Sequence, residues 1–219
     1  MSFDLVQAWQ SLNEKTVYQM HLGYPGSFHS DKQRGMSLAH FYESEWLRIQ
    51  QWALDHPSVI YPQYKLVFVS AHQDDNSIII THPRTQQLIR WNFPRQMKAP
   101  FYCLADFVTD TLGLLIVTVG HQAFDVAAQW QQERRFSDAL LLQTLAVQTV
   151  DAVADQLVAH KRFSFGFSAC PDLSMQHDLF DILDPADIGV SLSSLSIMSP
   201  QATISAMLFD HPSLDYFFV

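Results

Sequence analysis

At Tyr64 the spacing of apolar residues changes, and this change limits the fold more than any other feature. Upstream, Leu38, Phe41, Trp46, Ile49 and Trp52-Ala53 recur at three- to four-residue steps, so a helix is predicted from about Ser37 to His56, stopped by Pro57. Downstream the period falls to that of extended chain. Tyr64 to Val69, Ser77 to Thr81 and Gln87 to Trp91 read as strands, joined by the turn Asp74-Asp75-Asn76 and by His82-Pro83-Arg84. Such a meander pairs antiparallel. Leu112 to Val119 is apolar but for Thr118, continuous enough for a strand buried on both faces.

Helical patterning returns from Phe136 to His160, where Phe136, Leu140, Val147, Ala154 and Val158 can share one face with Thr144. A shorter helix starts at Asp172 or Ser174 and runs to about Leu183, ended by Asp184-Pro185. Strands follow at Leu195 to Met198, Thr203 to Phe209 and Tyr216 to Val219. At the other end, Ser2 can cap a helix from Phe3 to Leu12, and Gly23 to Ser27 is a loop. Blocks of strands and blocks of helices predict an α+β fold, a mostly antiparallel twisted sheet with flanking helices. The expected organisation is an N-terminal helical extension, 1–60, packed on a domain of residues 61–219.

Bulk properties remove several functions. Of 219 residues, 48% are hydrophobic and 16% charged, which suits a large core. The formal net charge of −9 opposes a nucleic-acid partner or an anionic membrane surface. No apolar run is long enough to span a bilayer, no secretory signal is visible, and the expected location is cytoplasmic. Two cysteines, Cys103 and Cys170, make neither a disulfide framework nor a zinc spacing, and the ten histidines form no ligand motif, so no metal is expected.

The chemistry concentrates in Arg162-Phe163-Ser164-Phe165-Gly166-Phe167-Ser168-Ala169-Cys170-Pro171-Asp172. Arg162 offers a planar fork suited to a carboxylate or a phosphate. Gly166 can adopt angles closed to other residues or let a ligand approach the main chain. The same stretch also suits a buried aromatic strand with a surface Arg and a turn Gly. Asp106, between apolar neighbours, reads as a turn or cap acceptor.

The pattern Arg-x-x-x-Gly-(Tyr/Phe)-x-Ala-Cys-Pro, followed by Phe209-Asp210-His211-Pro212-x-x-x-Tyr216, resembles the reactivation domain of cobalamin-dependent methionine synthase. Phe68-x-x-Ala71 with Asp74-Asp75, and Pro100-Phe101-Tyr102-Cys103-Leu104-Ala105-Asp106-Phe107, are similar to further blocks of that family. The resemblance implies a module that binds S-adenosylmethionine and supports reductive remethylation of cobalamin. Arg162 would meet the methionyl carboxylate, and Gly166 and Phe167 would lie along the nucleoside, with Ala169 at the turn. Tyr216 would bond a ribose or adenine edge, or else belong to the core. Asp151 falls where the family's long helix carries a Glu near the methyl donor; as a helix residue it also suits plain solvation. Glu14, in Glu14-Lys15-Thr16-Val17-Tyr18-Gln19-Met20, falls where the family has an Asp for the ligand's ammonium.

The departures are specific. Lys161 leads straight into Arg162, where the family has an intervening segment. Phe167 replaces a Tyr, and the family runs on beyond Val219. With none of the other methionine synthase modules, the chain is expected to need a cobalamin-carrying partner for turnover, and a flavodoxin-like electron donor. The alternative is a non-catalytic binding or regulatory module of the same fold.

Overall fold

The computed structural model describes residues 3–159, 163–165 and 172–210. They fall into two compact units. The first takes Met1–Gln63, Thr118–Ala154 and Pro200–Thr203, and the second takes Tyr64–Val117, Asp155–Ser199 and Ile204–Val219.

The first unit is helical. It contains α1 (Leu5–Gln10), a π-helix (Lys15–His21), α2 (Phe28–Gln33), α3 (Ser37–Asp55), α4 (Gln122–Gln132) and most of α5 (Phe136–Ala159). The cap of α1 is Asp4, whose carboxylate accepts from the Gln7 N–H at 3.0 Å, and the helix is shorter than the expected Phe3–Leu12 span. Helix α3 matches its expected limits, but its buried side is Ala39, Trp46, Ile49 and Ala53, while Leu38 and Phe41 face solvent. In α5 the predicted apolar face is corrected too. Phe136 is 63% and Leu140 47% exposed, whereas Ala139, Leu142, Leu145, Ala146, Val150 and Val153 are buried. Thr144, Gln148 and Thr149 are buried with them, which extends the buried band past one stripe. The indole N–H of Trp9 donates to Thr149 Oγ1 at 2.8 Å, and that hydroxyl donates to Leu145 O at 2.6 Å, tying α1 to α5.

The second unit is built on a six-stranded sheet of order β3-β2-β1-β4-β8-β5. Its strands are β1 (Gln63–Asp74), β2 (Ser77–Thr81), β3 (Leu88–Asn92), β4 (Thr111–Thr118), β5 (Phe163–Phe165) and β8 (Thr203–Asp210). Antiparallel pairing joins β1 to β2, β2 to β3 and β5 to β8. The β1–β2 turn closes on the Asp74↔Ser77 pair with Asp75 left-handed (φ 54°). A short hairpin of β6 (Ser191–Leu192) and β7 (Met198–Ser199) stands apart from the main sheet, so the strand expected at Leu195 to Met198 is mostly its exposed turn. The strand expected at Tyr216 to Val219 lies outside the described residues.

Every residue of β4 from Leu112 onward is buried, as its sequence requires. Alternate residues Leu112, Leu114 and Ile116 join Val69, Ala71, Ile78, Ile80, Trp91, Met207 and Phe209 in one core. Helix α6 (Met175–Leu183) adds Met175, Leu179, Ile182 and Leu183 at helical spacing. The architecture is α+β, as expected.

Candidate functional site

Glu14 stands at the N-terminus of the π-helix, beside a groove of about 610 Å³ in the first unit. Its walls include Val6, Trp9, Tyr18, Trp46, Leu47 and Leu54. A π-helical turn closes through an i→i+5 hydrogen bond, one residue wider than the α-helical bond, and is frequent at functional sites. Here the Leu22 N–H reaches back to Val17 O at 3.0 Å, and the widened turn buries Val17 and Tyr18 side by side.

Both carboxylate oxygens of Glu14 are engaged. Lys32 Nζ lies 3.0 Å from Oε1, and His29 Nδ1 lies 3.2 Å from Oε2. Lys32 also reaches Glu43 Oε1 at 2.7 Å, with its Nζ 5.8 Å from the Phe28 ring centroid. Partial burial pushes the Glu14 carboxyl up, but the hydrogen bonds and charges of Lys32 and His29 outweigh it and hold the group below its ordinary value. The hydrogen bond to Glu43, and then that to Glu14, raise Lys32. Tyr18 is raised strongly, by burial first and then by the charges of Glu43 and Glu14. The cluster is thus a cation held by two carboxylates in a groove with aromatic walls.

Asp151 is exposed on α5. Buried Gln148 lies beside it, its Nε2 3.4 Å from Asp151 Oδ2 and 3.3 Å from His21 Nε2. His21 is the last residue of the π-helix that Glu14 begins. Glu14 and Asp151 therefore belong to one unit, linked through the two ends of that helix.

Arg162, Gly166, Phe167, Ala169 and Tyr216 lie outside the described residues. The backbone between the first two is strand β5, at the sheet edge. Its register pairs Phe163 with Asp210, Ser164 with Phe209 and Phe165 with Leu208. The chain therefore enters β5 beside the point where it leaves β8. Two motifs some fifty residues apart in sequence, that of Arg162 and that of Phe209-Asp210, share one strand pair.

The chain matches the family described as vitamin B12 dependent methionine synthase, activation domain, over residues 9–164 and 159–219. It belongs to this family. Among curated proteins, the methionine synthase of Mycobacterium tuberculosis (strain ATCC 25618 / H37Rv) is 26% identical over 208 aligned positions, covering 75% of this chain and 17% of the relative. The methionine synthase of Mycobacterium leprae (strain TN) is 25% identical and covers 68% of this chain and 16% of its own length. The chain thus spans only 17% and 16% of these relatives. A crystal structure described as the MetH reactivation domain bound to AdoHcy superposes with a TM-score of 0.83 at 18% identity, covering 99% of this chain and 79% of that one. At that identity the likeness is one of fold.

Within this activation-domain frame, Asp106 has the structural place that its setting in Leu-Ala-Asp-Phe suggests. It caps the 3₁₀ turn Leu104–Phe107, accepting from the Cys103 N–H at 2.9 Å, and is gripped by Arg95. Sequence reading missed Lys32, His29 and Glu43, because a lysine eighteen residues from Glu14 gives no local signal. Among the described residues no group of three His, Cys, Asp or Glu could hold a metal ion. Among them, too, no helix is long and apolar enough to cross a membrane.

Proposed function

We propose that this chain is an S-adenosylmethionine-binding module that supports reductive remethylation of cobalamin carried by separate methionine synthase modules. The observation that carries the reading is the family match across both motif-bearing segments, 9–164 and 159–219. The solved reactivation domain of like fold, bound to AdoHcy, the demethylated form of that donor, supports the same ligand class.

When bound, S-adenosylmethionine supplies a methyl group on a sulfonium, for a cobalamin reduced by an electron from a flavodoxin-like donor. The chain's own residues bind and orient. Arg162 holds the carboxylate in a charge-assisted pair. Glu14, a carboxylate at neutral pH, takes the ammonium. Asp151, exposed on α5, adds negative charge facing a cationic donor. Gly166, Phe167 and Ala169 lie along the nucleoside, and Tyr216 bonds its edge. Fixing the methionyl end aims the methyl, an effect of orientation.

One observation favours a second reading, a module of this fold that no longer binds the donor. Both Glu14 oxygens are already engaged by the protein's own side chains, Oε1 by the Lys32 ammonium and Oε2 by the His29 ring. Calorimetric titration with S-adenosylmethionine decides between them. Saturable heat supports the first reading, and no heat at millimolar ligand supports the second. Remethylation with a cobalamin-loaded partner then tests the reaction.

A further inference from the structure

The cluster at Glu14 has a consequence for affinity, resting on the assignment of Glu14 to the ligand's ammonium. We propose that Lys32 is a built-in competitor for that ammonium, occupying its place on Glu14 and yielding it by moving wholly onto Glu43. Lys32 Nζ sits 3.0 Å from Glu14 Oε1 and 2.7 Å from Glu43 Oε1, with the Phe28 ring at 5.8 Å. Two carboxylates and an aromatic face would receive any alkylammonium, and here the protein's own side chain fills the place. The second oxygen offers no easier entry, because His29 holds it at 3.2 Å while its other ring nitrogen meets Gln33 at 2.9 Å.

Exchange is feasible because Lys32 has somewhere to go. Released from Glu14 it keeps Glu43, the shorter of its two contacts. Side-chain exposures of 36% for Lys32, 39% for Glu14 and 27% for Glu43 place the exchange at the groove surface, where water assists it. An exposed pair of this kind is worth up to a factor of about five, so Lys32 tunes the site without closing it. Glu43 becomes a positioning residue. It need not touch the ligand, and it draws the competitor aside.

The test is calorimetric titration of S-adenosylmethionine into the full chain and its variants. Lys32→Met should bind about three- to fivefold tighter than wild type, and Lys32→Gln should agree with it. Glu43→Gln should bind more weakly by a similar factor, because Lys32 then depends on Glu14 alone. Opposite signs from two partners of one ion pair are not what a merely structural role produces. Both effects should vanish in the Glu14→Gln background and shrink at high salt. A gain that persists in Lys32→Met/Glu14→Gln would trace to net charge and overturn the proposal. So would wild-type binding with no gain in Lys32→Met, while leaving the ligand assignment intact. No heat in wild type or in any variant would overturn both. Thermal unfolding of each variant keeps a folding defect from passing as weak binding.

Discussion

Arg95 grips Asp106 with both prongs of its guanidinium, Nη1 at 2.8 Å from Oδ2 and Nη2 at 2.9 Å from Oδ1. Eleven residues separate them, and the segment between holds the exposed Met97 and the left-handed Phe101 (φ 60°). The same arginine donates to Phe101 O at 3.1 Å, while the Gln96 N–H donates to Tyr102 O at 2.9 Å. One carboxylate thus closes the neck of a loop and caps the next turn.

Replacing Asp106, the reciprocal partner of the Cys103 cap, by Ala should therefore destabilise the chain by about 0.5–2 kcal/mol, the range for a lost capping interaction, read from chemical unfolding. Partial burial pushes the Asp106 carboxyl up, but Arg95 and the Cys103 N–H outweigh it, so the group lies below the ordinary carboxylate value. With the folded value depressed, the stabilisation is complete above the ordinary value and is lost as pH falls through the folded one. Between pH 6 and pH 3 the wild type should lose more stability than Asp106→Asn. Equal slopes would remove Asp106 from the acid response.

Gly113, in the middle of β4, leaves no room for a side chain. An added Cβ would stand 2.9 Å from Leu208 Cβ and 3.0 Å from Phe68 Cε1. Both the neighbouring strand and an aromatic ring would have to shift. Gly113→Ala should cost about 1–3 kcal/mol, the range for an overpacked core, and lower the thermal midpoint.

Thr149→Val keeps the shape of the threonine and removes the acceptor of the Trp9 indole N–H. Both residues are buried, so the N–H would be left without its partner. A loss of about 1–3 kcal/mol is expected, with a change in tryptophan fluorescence as α1 loosens from α5. Thr149→Ser, which restores the hydroxyl, should recover most of the loss.

Arg162→Ala tests the ligand assignment most directly. Removal of one charge-assisted contact is worth about 1.5–3 kcal/mol, so S-adenosylmethionine should bind at least tenfold more weakly by calorimetry. Unchanged binding would take Arg162 out of the site.

Sequence alone determined the elements whose signals are local. Pro57 ends α3, Asp184-Pro185 ends α6, the Asp74-Asp75-Asn76 turn orders β1 and β2, and the apolar run Leu112 to Val117 within β4 declares a strand buried on both faces. Asp106 was legible as an acceptor because its donor, the Cys103 N–H, is three residues away. Family membership was legible for the same reason, since it rests on contiguous blocks. Tertiary structure alone decided what depends on residues far apart. The π-helix and α2 carry no pattern strong enough to announce themselves, and short helices draw most of their stability from what they pack against, whereas α4 does show Ala123, Ala127 and Trp130 at helical spacing and was missed. Phe136 and Leu140 fit a helical face by spacing, yet the buried band of α5 lies elsewhere, because spacing defines a stripe and not the neighbour that covers it. Glu14 was visible as a carboxylate, but Lys32, His29 and Glu43, which set its charge and its availability, come to it only through folding.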